Sequence, residues 1–364
     1  MAELAGVRDW EAIRARFDAL WRCEIVDRCC CAVSSWKDGL TEDDFAPVEP
    51  LRKDDPADLA DWYENPDRIL RRNLKYLDLV RWAGDSFPVL IHSFAPAGHA
   101  EYFGARARYG EGTVWLDPSI TDLEAEFPVY DPDHPALRKH LAIARTLAER
   151  TRGRCLVAMP DTVGAADALS HLLGPEAFLI EIAERPELVA RAISAVNDGW
   201  RDVSERFYQA VKDDAGGTSV GWLGTWGRGR HHQMQCDLSV MLSPKDYERL
   251  LLPELERQMD WIEYPLYHLD GMGQLRHLDL LLSLPRLRMI QWTNVVGQPP
   301  ASAFLPEFRR IQAAGKALHL GLTKAELPAV MEGLSSKGLF LTMGAESEAE
   351  AEEIVAYIAE HTHA

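Results

Sequence analysis

The stretch LYHLDGMGQLRHLD, residues 266–279, decides how the chain is read. It begins as an apolar run of strand type, presents His268 and Asp270 two residues apart, and breaks at once into Gly271-Met272-Gly273. Successive strand side chains alternate faces, so His268 and Asp270 point one way while Tyr267 and Leu269 point the other. An imidazole and a carboxylate therefore leave the strand side by side. The spacing leaves three readings open: two ligands of a divalent metal, a general acid and base couple, or a buried hydrogen-bonded pair at a turn. Gly271 and Gly273 permit close approach of backbone to a ligand.

Working outward, runs of the same kind recur along the chain. They are FPVLIHSF (87–94), GTVWLDP (112–118), GRCLVAMPD (153–161), TSVGWLGTW (218–226), YPLYHLD (264–270), RLRMIQWT (286–293), KALHLGL (316–322) and GLFLTMGA (338–345). Amphipathic helical stretches separate them, among them SPKDYERLLLPELERQMDWI, where Ser243 is an expected N-cap and Pro244 the first helical residue. Alternating strands and helices predict βα units and a parallel sheet, and about eight strands is the number that closes a barrel. The expected fold class is α/β, a single (β/α)8 TIM barrel over residues 85–364. Residues 1–84 read as an N-terminal helical extension capping it: a helix, the short strand CCCAVSSW, a charged loop, and a helix opened by Asn65-Pro66.

The formal net charge of −18 repels phosphate backbones and anionic lipid headgroups, so neither nucleic acid nor membrane is an expected partner. No apolar run reaches bilayer length, and the N-terminal segment alternates charge and hydrophobe as an amphipathic helix does, not as a signal peptide. Six cysteines, three of them consecutive at Cys29–Cys31, do not form a spaced disulfide framework. A cytoplasmic protein with buried thiols is expected.

In a barrel, catalytic groups sit where strands run into the following loops. The strand ends offer His92 and His99, Asp117, Asp161, Trp226 with Arg228 and Arg230, His268 and Asp270, Gln291 and Trp292, His319, and Glu346. The loop QMQCDLS (233–239) adds Cys236 and Asp237. The basic loop GRGRHH (227–232) is a candidate anion-binding element or a solvated turn. Trp222, Trp226 and Trp292 are candidate walls of an apolar pocket.

The stretches PDTVGAADALSHLLGPEAFLIEIAERPELVARAI, SVMLSPKDYERLLLPELE and YHLDGMGQLRHLDLLL resemble the uroporphyrinogen decarboxylase superfamily from about Asp85 to the C-terminus. That superfamily includes the decarboxylase, corrinoid-protein:coenzyme M methyltransferases and, more distantly, cobalamin-independent methionine synthase. The resemblance implies the same barrel. Members that transfer methyl groups to thiols hold zinc with a His-x-Cys at this strand end and a second Cys after the last strand. Here His268 matches, Asp270 stands in the Cys position, and no thiol occurs near Met343 or Gly344. The decarboxylases' N-terminal Arg-Gln-Ala-Gly-Arg motif is absent, with CCCAVSSW in that region, so porphyrinogen decarboxylation is not expected.

The function expected from the resemblance is methyl transfer to or from a small molecule. A divalent metal, zinc first, is held by His268 and Asp270 with Cys236 or Glu346 supplying a third ligand. In that scheme His268, Asp270, Asp237 and Asp161 are catalytic or orienting. Arg228, Arg230, Trp226, Trp292, His99 and Gln291 bind substrate. A corrinoid protein as partner and a homodimer complete the expectation. Two alternatives stand beside it: a metal-independent decarboxylase or lyase using His268 and Asp270 as acid and base, and a non-catalytic member that binds a ligand or corrinoid protein.

Overall fold

The computed structural model describes residues 4–92 and 94–364. Thirteen strands are formed: β1 (Cys30–Trp36), β2 (Val80–Gly84), β3 (Val89–Leu90), β4 (Arg106–Tyr109), β5 (Val114–Asp117), β6 (Leu156–Val157), β7 (Thr218–Val220), β8 (Thr225–Gly227), β9 (His231–Met234), β10 (Tyr264–Leu269), β11 (Met289–Trp292), β12 (Ala317–Gly321) and β13 (Leu339–Gly344). A seven-stranded sheet runs in the order β2-β1-β13-β12-β11-β10-β9, parallel throughout except for the antiparallel edge strand β2. β3 and β6 form a separate parallel pair, and a hydrogen bond from Met159 N to Ser219 O (3.0 Å) ties that pair to β7. The Thr218 hydroxyl then joins β7 to β9 through His231 N (3.0 Å).

Five sequence expectations need correction. The run 112–118 forms β5, but it pairs antiparallel with β4 in an outlying hairpin instead of joining the sheet. The run 218–226 is two short antiparallel strands folded about a single-turn 3-10 segment, Gly221–Leu223. The loop 227–232 ends in β9, a fully buried strand masked in the sequence by two arginines and two histidines. The helix expected from Ser243 is interrupted by a π-helical turn at Tyr247–Leu251 just ahead of Pro253, which has no N–H to give the preceding turn. Its predicted cap does form, with Ser243 Oγ accepting from Asp246 N at 3.1 Å. Of the run 87–94, only Val89–Leu90 is strand, and Ser93 lies outside the described residues.

Strand alternation sorts the core into two layers. Leu266, Met289, Ala317 and Phe340 share one face with Cys30 and Ala32, and they pack against Trp10, Phe17, Leu20 and Trp21 of the N-terminal helix Trp10–Leu20 and its cap. That helix plugs the beginning of the strands, with Phe17 wholly buried and edge-on to Phe340 at 5.4 Å. Tyr267, Leu269, Ile290, Leu318 and Leu341 face the opposite way, into the larger core formed with the surrounding helices. The first 84 residues thus contribute an internal strand and this plug as well as the helix Pro66–Leu79, which Asn65 caps through Asp67 N (3.0 Å). The cysteine triplet is buried and unbridged in β1 and the residue before it, with Cys29 Sγ directed at Leu339 O (3.3 Å). Among the described residues no helix is long and apolar enough to cross a membrane.

Candidate functional site

Two residues further along each strand, the plugged face turns polar. His268 follows Leu266, Gln291 follows Met289, His319 follows Ala317 and Thr342 follows Phe340, so the pleat places all four above the apolar layer. They bond laterally. His268 Nδ1 meets Gln291 Oε1, and His319 Nε2 meets Thr342 Oγ1 at 3.1 Å. The Gln291 amide is oriented by donating from Nε2 to Trp292 O (2.7 Å) and Thr293 Oγ1 (3.0 Å), so its oxygen must face His268. An amide oxygen only accepts, which puts the proton on Nδ1 and leaves the Nε2 lone pair of His268 free.

His268 belongs to a cluster. Ligand atoms of Asp237, His268 and Asp270 lie within 4.8 Å of one another, and among the described residues these three make up the one such group able to hold a metal ion. His268 is buried, Asp270 is half-buried and Asp237 is exposed. Although part of the Asp237 side chain reaches solvent, desolvation of its carboxyl raises its pKa. The His268 imidazole opposes that rise and Asp270 reinforces it.

The cluster is assembled from two loops, and neighbouring side chains hold them in register. Gln274, fully buried, accepts from Asp270 N (3.2 Å) and donates to Cys236 O (3.1 Å), so one amide pins both loops. The buried Asp167 carboxylate accepts from Asp237 N at 3.1 Å, and Gln235 Nε2 donates to Asp237 Oδ1 at 3.1 Å. Gly271 adopts φ +71°, and a Cβ there would stand 2.7 Å from Gln298 Oε1 and Val295 Cγ2, so the turn after β10 needs glycine. Behind Asp167, Glu254 accepts from Ala165 N and from Ala166 N (3.3 Å) at the start of the helix Ala165–Leu173.

The sequence candidates are distributed unevenly. Asp237, His268 and Asp270 come together, with Gln291 holding the imidazole. Asp161 accepts from Gln233 Nε2 at 2.9 Å, and its carboxyl is pushed up to about 6 by burial and by Asp237. Cys236 is not in the cluster. It is buried behind the loop, where desolvation and the neighbouring Asp167, Glu254 and Asp237 carboxylates raise its thiol pKa well above the usual value. Glu346 is exposed, its backbone N–H bonded to Glu350, and it too is outside the cluster. Asp237 supplies the third group that Cys236 or Glu346 was expected to give.

Arg228 and Arg230 sit at the opposite end, where the parallel strands begin. Arg228 pairs with Asp18 of the plug helix, with Nε at 3.0 Å. Arg230 pairs with Glu205 (2.8 Å) and Glu263 (3.1 Å). Trp226 is wholly buried there too, edge-on to Trp10 at 5.8 Å, with Nε1 donating to Asp213 at 3.0 Å. His99 is buried in a 3-10 segment, Gly98–Phe103, its pKa lowered to about 3 chiefly by desolvation. Gln274 and Gln235 were not among the sequence candidates. Gln274 lies within the quoted stretch, four residues after Asp270, but a glutamine in a loop carries no signal of which carbonyl it will meet.

Beside the cluster opens a cavity of about 640 Å³ at the C-terminal ends of β1, β11, β12 and β13, reaching Gly221–Gly224 and Trp222. Trp222 connects cavity and cluster, since its indole stands edge-on to His268 with ring centroids 5.0 Å apart. Trp292 reaches the same cavity, although its indole packs on Phe304 and Phe308 and donates to Asn294 at 2.8 Å.

No protein-family model and no curated protein matches this chain. Among solved structures it is similar to a methyltransferase from Methanosarcina mazei, with a TM-score of 0.62 and 12% identity over 96% of this chain and 98% of that one. The two share a fold. At that identity the likeness extends to chain path alone, and the chemistry has to come from the residues above.

Proposed function

We propose that this protein is a methyl-transfer enzyme acting on a small molecule at the mouth of a closed (β/α)8 barrel. In this reading Asp237, His268 and Asp270 hold a divalent metal, zinc being the first candidate. The observation that carries the reading is the convergence of these three ligand atoms within 4.8 Å at the ends of β9 and β10, beside a cavity, in a fold shared with a methyltransferase.

The donor set fits a divalent cation. His268 offers its Nε2 lone pair because Gln291 holds Nδ1–H, the arrangement that commonly orients a metal-bound histidine. Two carboxylates and one imidazole form a harder set than the thiolates of the thiol-directed members, and they suit an ion that activates an oxygen or sulfur nucleophile without thiolate ligation. When bound, such a cation supplies a Lewis acid that lowers the pKa of a nucleophile at the site. The protein's own groups do the rest. Gln274 and Asp167 fix the separation of the two carboxylate-bearing loops. Trp222 shields the imidazole on the cavity side, and Asp161, raised to about 6 by burial and by Asp237, is a group able to exchange a proton around neutral pH.

A corrinoid protein as methyl carrier belongs to the same reading and rests on the family resemblance, whereas a cytoplasmic location rests on the free cysteines and a homodimer on the general habit of soluble enzymes. A second reading uses His268 and Asp237 without metal, as base and acid in a decarboxylation, and is favoured by the raised Asp237 carboxyl.

Metal analysis of untagged protein, followed by zinc and cobalt titration, tests the leading reading. Near-stoichiometric metal that is lost in Asp237→Asn, His268→Ala and Asp270→Asn is the expected result. Metal-free protein that releases CO2 from a small carboxylate in the presence of a chelator would replace it with the second.

A further inference from the structure

The cavity beside the cluster is free of ionic side chains. Among the described residues its wall contains no Asp, Glu, Lys or Arg, although charged residues make up 26% of the chain. Tyr76, Trp82, Phe87, Trp222 and Trp292 supply the aromatic part of the wall. The polar part is neutral: Ser34, Thr293, Asn294, Thr323 and Thr342. His319, the imidazole of the wall, is buried and spends Nε2 on Thr342, and desolvation with His268 nearby lowers its pKa to about 3, so it adds no charge. At 640 Å³ the space is of the size that encloses a small organic ligand.

We infer that the small molecule taken at this site is uncharged and built around a flat, ring-sized apolar body with one or two neutral polar substituents. The inference rests on the mouth being the active site, as proposed above. An anion entering this wall would lose water without gaining a guanidinium or ammonium partner. A cation would find aromatic faces but no carboxylate in the wall, and a partly exposed indole returns only a fraction of an ion's hydration. A neutral ring loses little by leaving water. It gains the faces of Trp222 and Trp82 and hydrogen bonds from hydroxyl and amide groups.

The test uses three probes on a common 4-methoxyphenyl framework, with this protein at pH 7: 4-methoxyphenol, 4-methoxybenzoate and (4-methoxyphenyl)trimethylammonium. Binding is followed by calorimetry and tryptophan fluorescence, with and without EDTA. The expected result is saturable binding of the neutral probe, with both ions at least about tenfold weaker, a difference of about 1.4 kcal/mol. Trp222→Ala, a change at a partly exposed side chain, should abolish the neutral probe's binding while leaving the melting temperature in place.

A second variant probes the sign of the argument. Gly344 lies on the cavity rim with no atom within 4 Å of its virtual Cβ, so Gly344→Lys has room and should shift preference toward 4-methoxybenzoate. Equal or tighter binding of either ion by the parent protein overturns the inference, as does failure of the neutral probe to bind up to its solubility limit. The two readings separate cleanly. Absence of metal with the neutral preference intact removes the metal proposal only, whereas an ionic preference in metal-loaded protein removes this one only.

Discussion

Glu254 gives the structure a measurable pH signature. Its carboxyl is 4% exposed and accepts from two backbone N–H groups and from Gln258 Nε2 (3.2 Å), yet burial raises its pKa from 4.5 to about 8. At about 1.36 kcal/mol per pH unit this rise amounts to about 5 kcal/mol of ionisation cost in the folded state. The folded carboxyl holds its proton between about pH 4.5 and 8 while the unfolded one has released it, so stability falls as pH rises through that window. In Glu254→Gln the cost disappears. The glutamine side chain keeps an acceptor for Ala165 N–H and loses the one facing Ala166 N–H, which costs about 1–2 kcal/mol. Urea unfolding followed by tryptophan fluorescence should therefore place the variant within about 1 kcal/mol of the parent at pH 5, and about 3 kcal/mol above it at pH 9. Asp161, also raised, slopes the same way in both proteins, so the difference between the two curves reports Glu254 together with its interaction with Asp167. Parallel pH profiles for variant and parent would refute the reasoning.

Gln274→Leu unties the loops that bear Asp237 and Asp270, and metal affinity measured against a chromophoric chelator should fall by about 10- to 100-fold with the fold retained. Cys236→Ser should leave that affinity unchanged, because the thiol is buried outside the cluster. Phe17→Ala opens a hole in the plug and should lower unfolding free energy by about 3–5 kcal/mol in a urea titration. Arg228→Ala removes a partly exposed ion pair at the far end of the strands, so it should change stability by about 0–1 kcal/mol and leave probe binding at the cavity untouched.

The parts of the fold legible in the sequence are those where one physical rule dominates. β10 to β13 read plainly because each is a short apolar run between turn residues, and the period of two places His268 and Asp270 on one face. β9 was hidden because its burial is satisfied by polar bonds: His231 is paired with Thr225 (2.8 Å) and with Tyr264 O (2.7 Å), and His232 with Thr162 (2.9 Å). A strand whose interior is hydrogen-bonded carries no hydrophobic period. Misreading it as a loop also moved Arg228 and Arg230 to the wrong end of the sheet. The cluster's third member was among the candidates, as an orienting group and not as a candidate metal ligand. Cys236 and Asp237 are neighbours, and which one turns toward His268 depends on Asp167 catching the Asp237 N–H from a helix some 70 residues upstream. No local pattern encodes that choice.

The seam between β1 and β13 sets a timetable for the nascent chain. Cys29 Sγ meets Leu339 O across 310 residues of sequence, and β13 sits between β1 and β12 in the sheet. On the ribosome β1 emerges with its pairing edge bare, and it keeps that edge until the 310 residues that separate Cys29 from Leu339 have been made. Loop closure on this scale is slow. Factors that shield strand edges during synthesis should therefore raise the yield of folded protein.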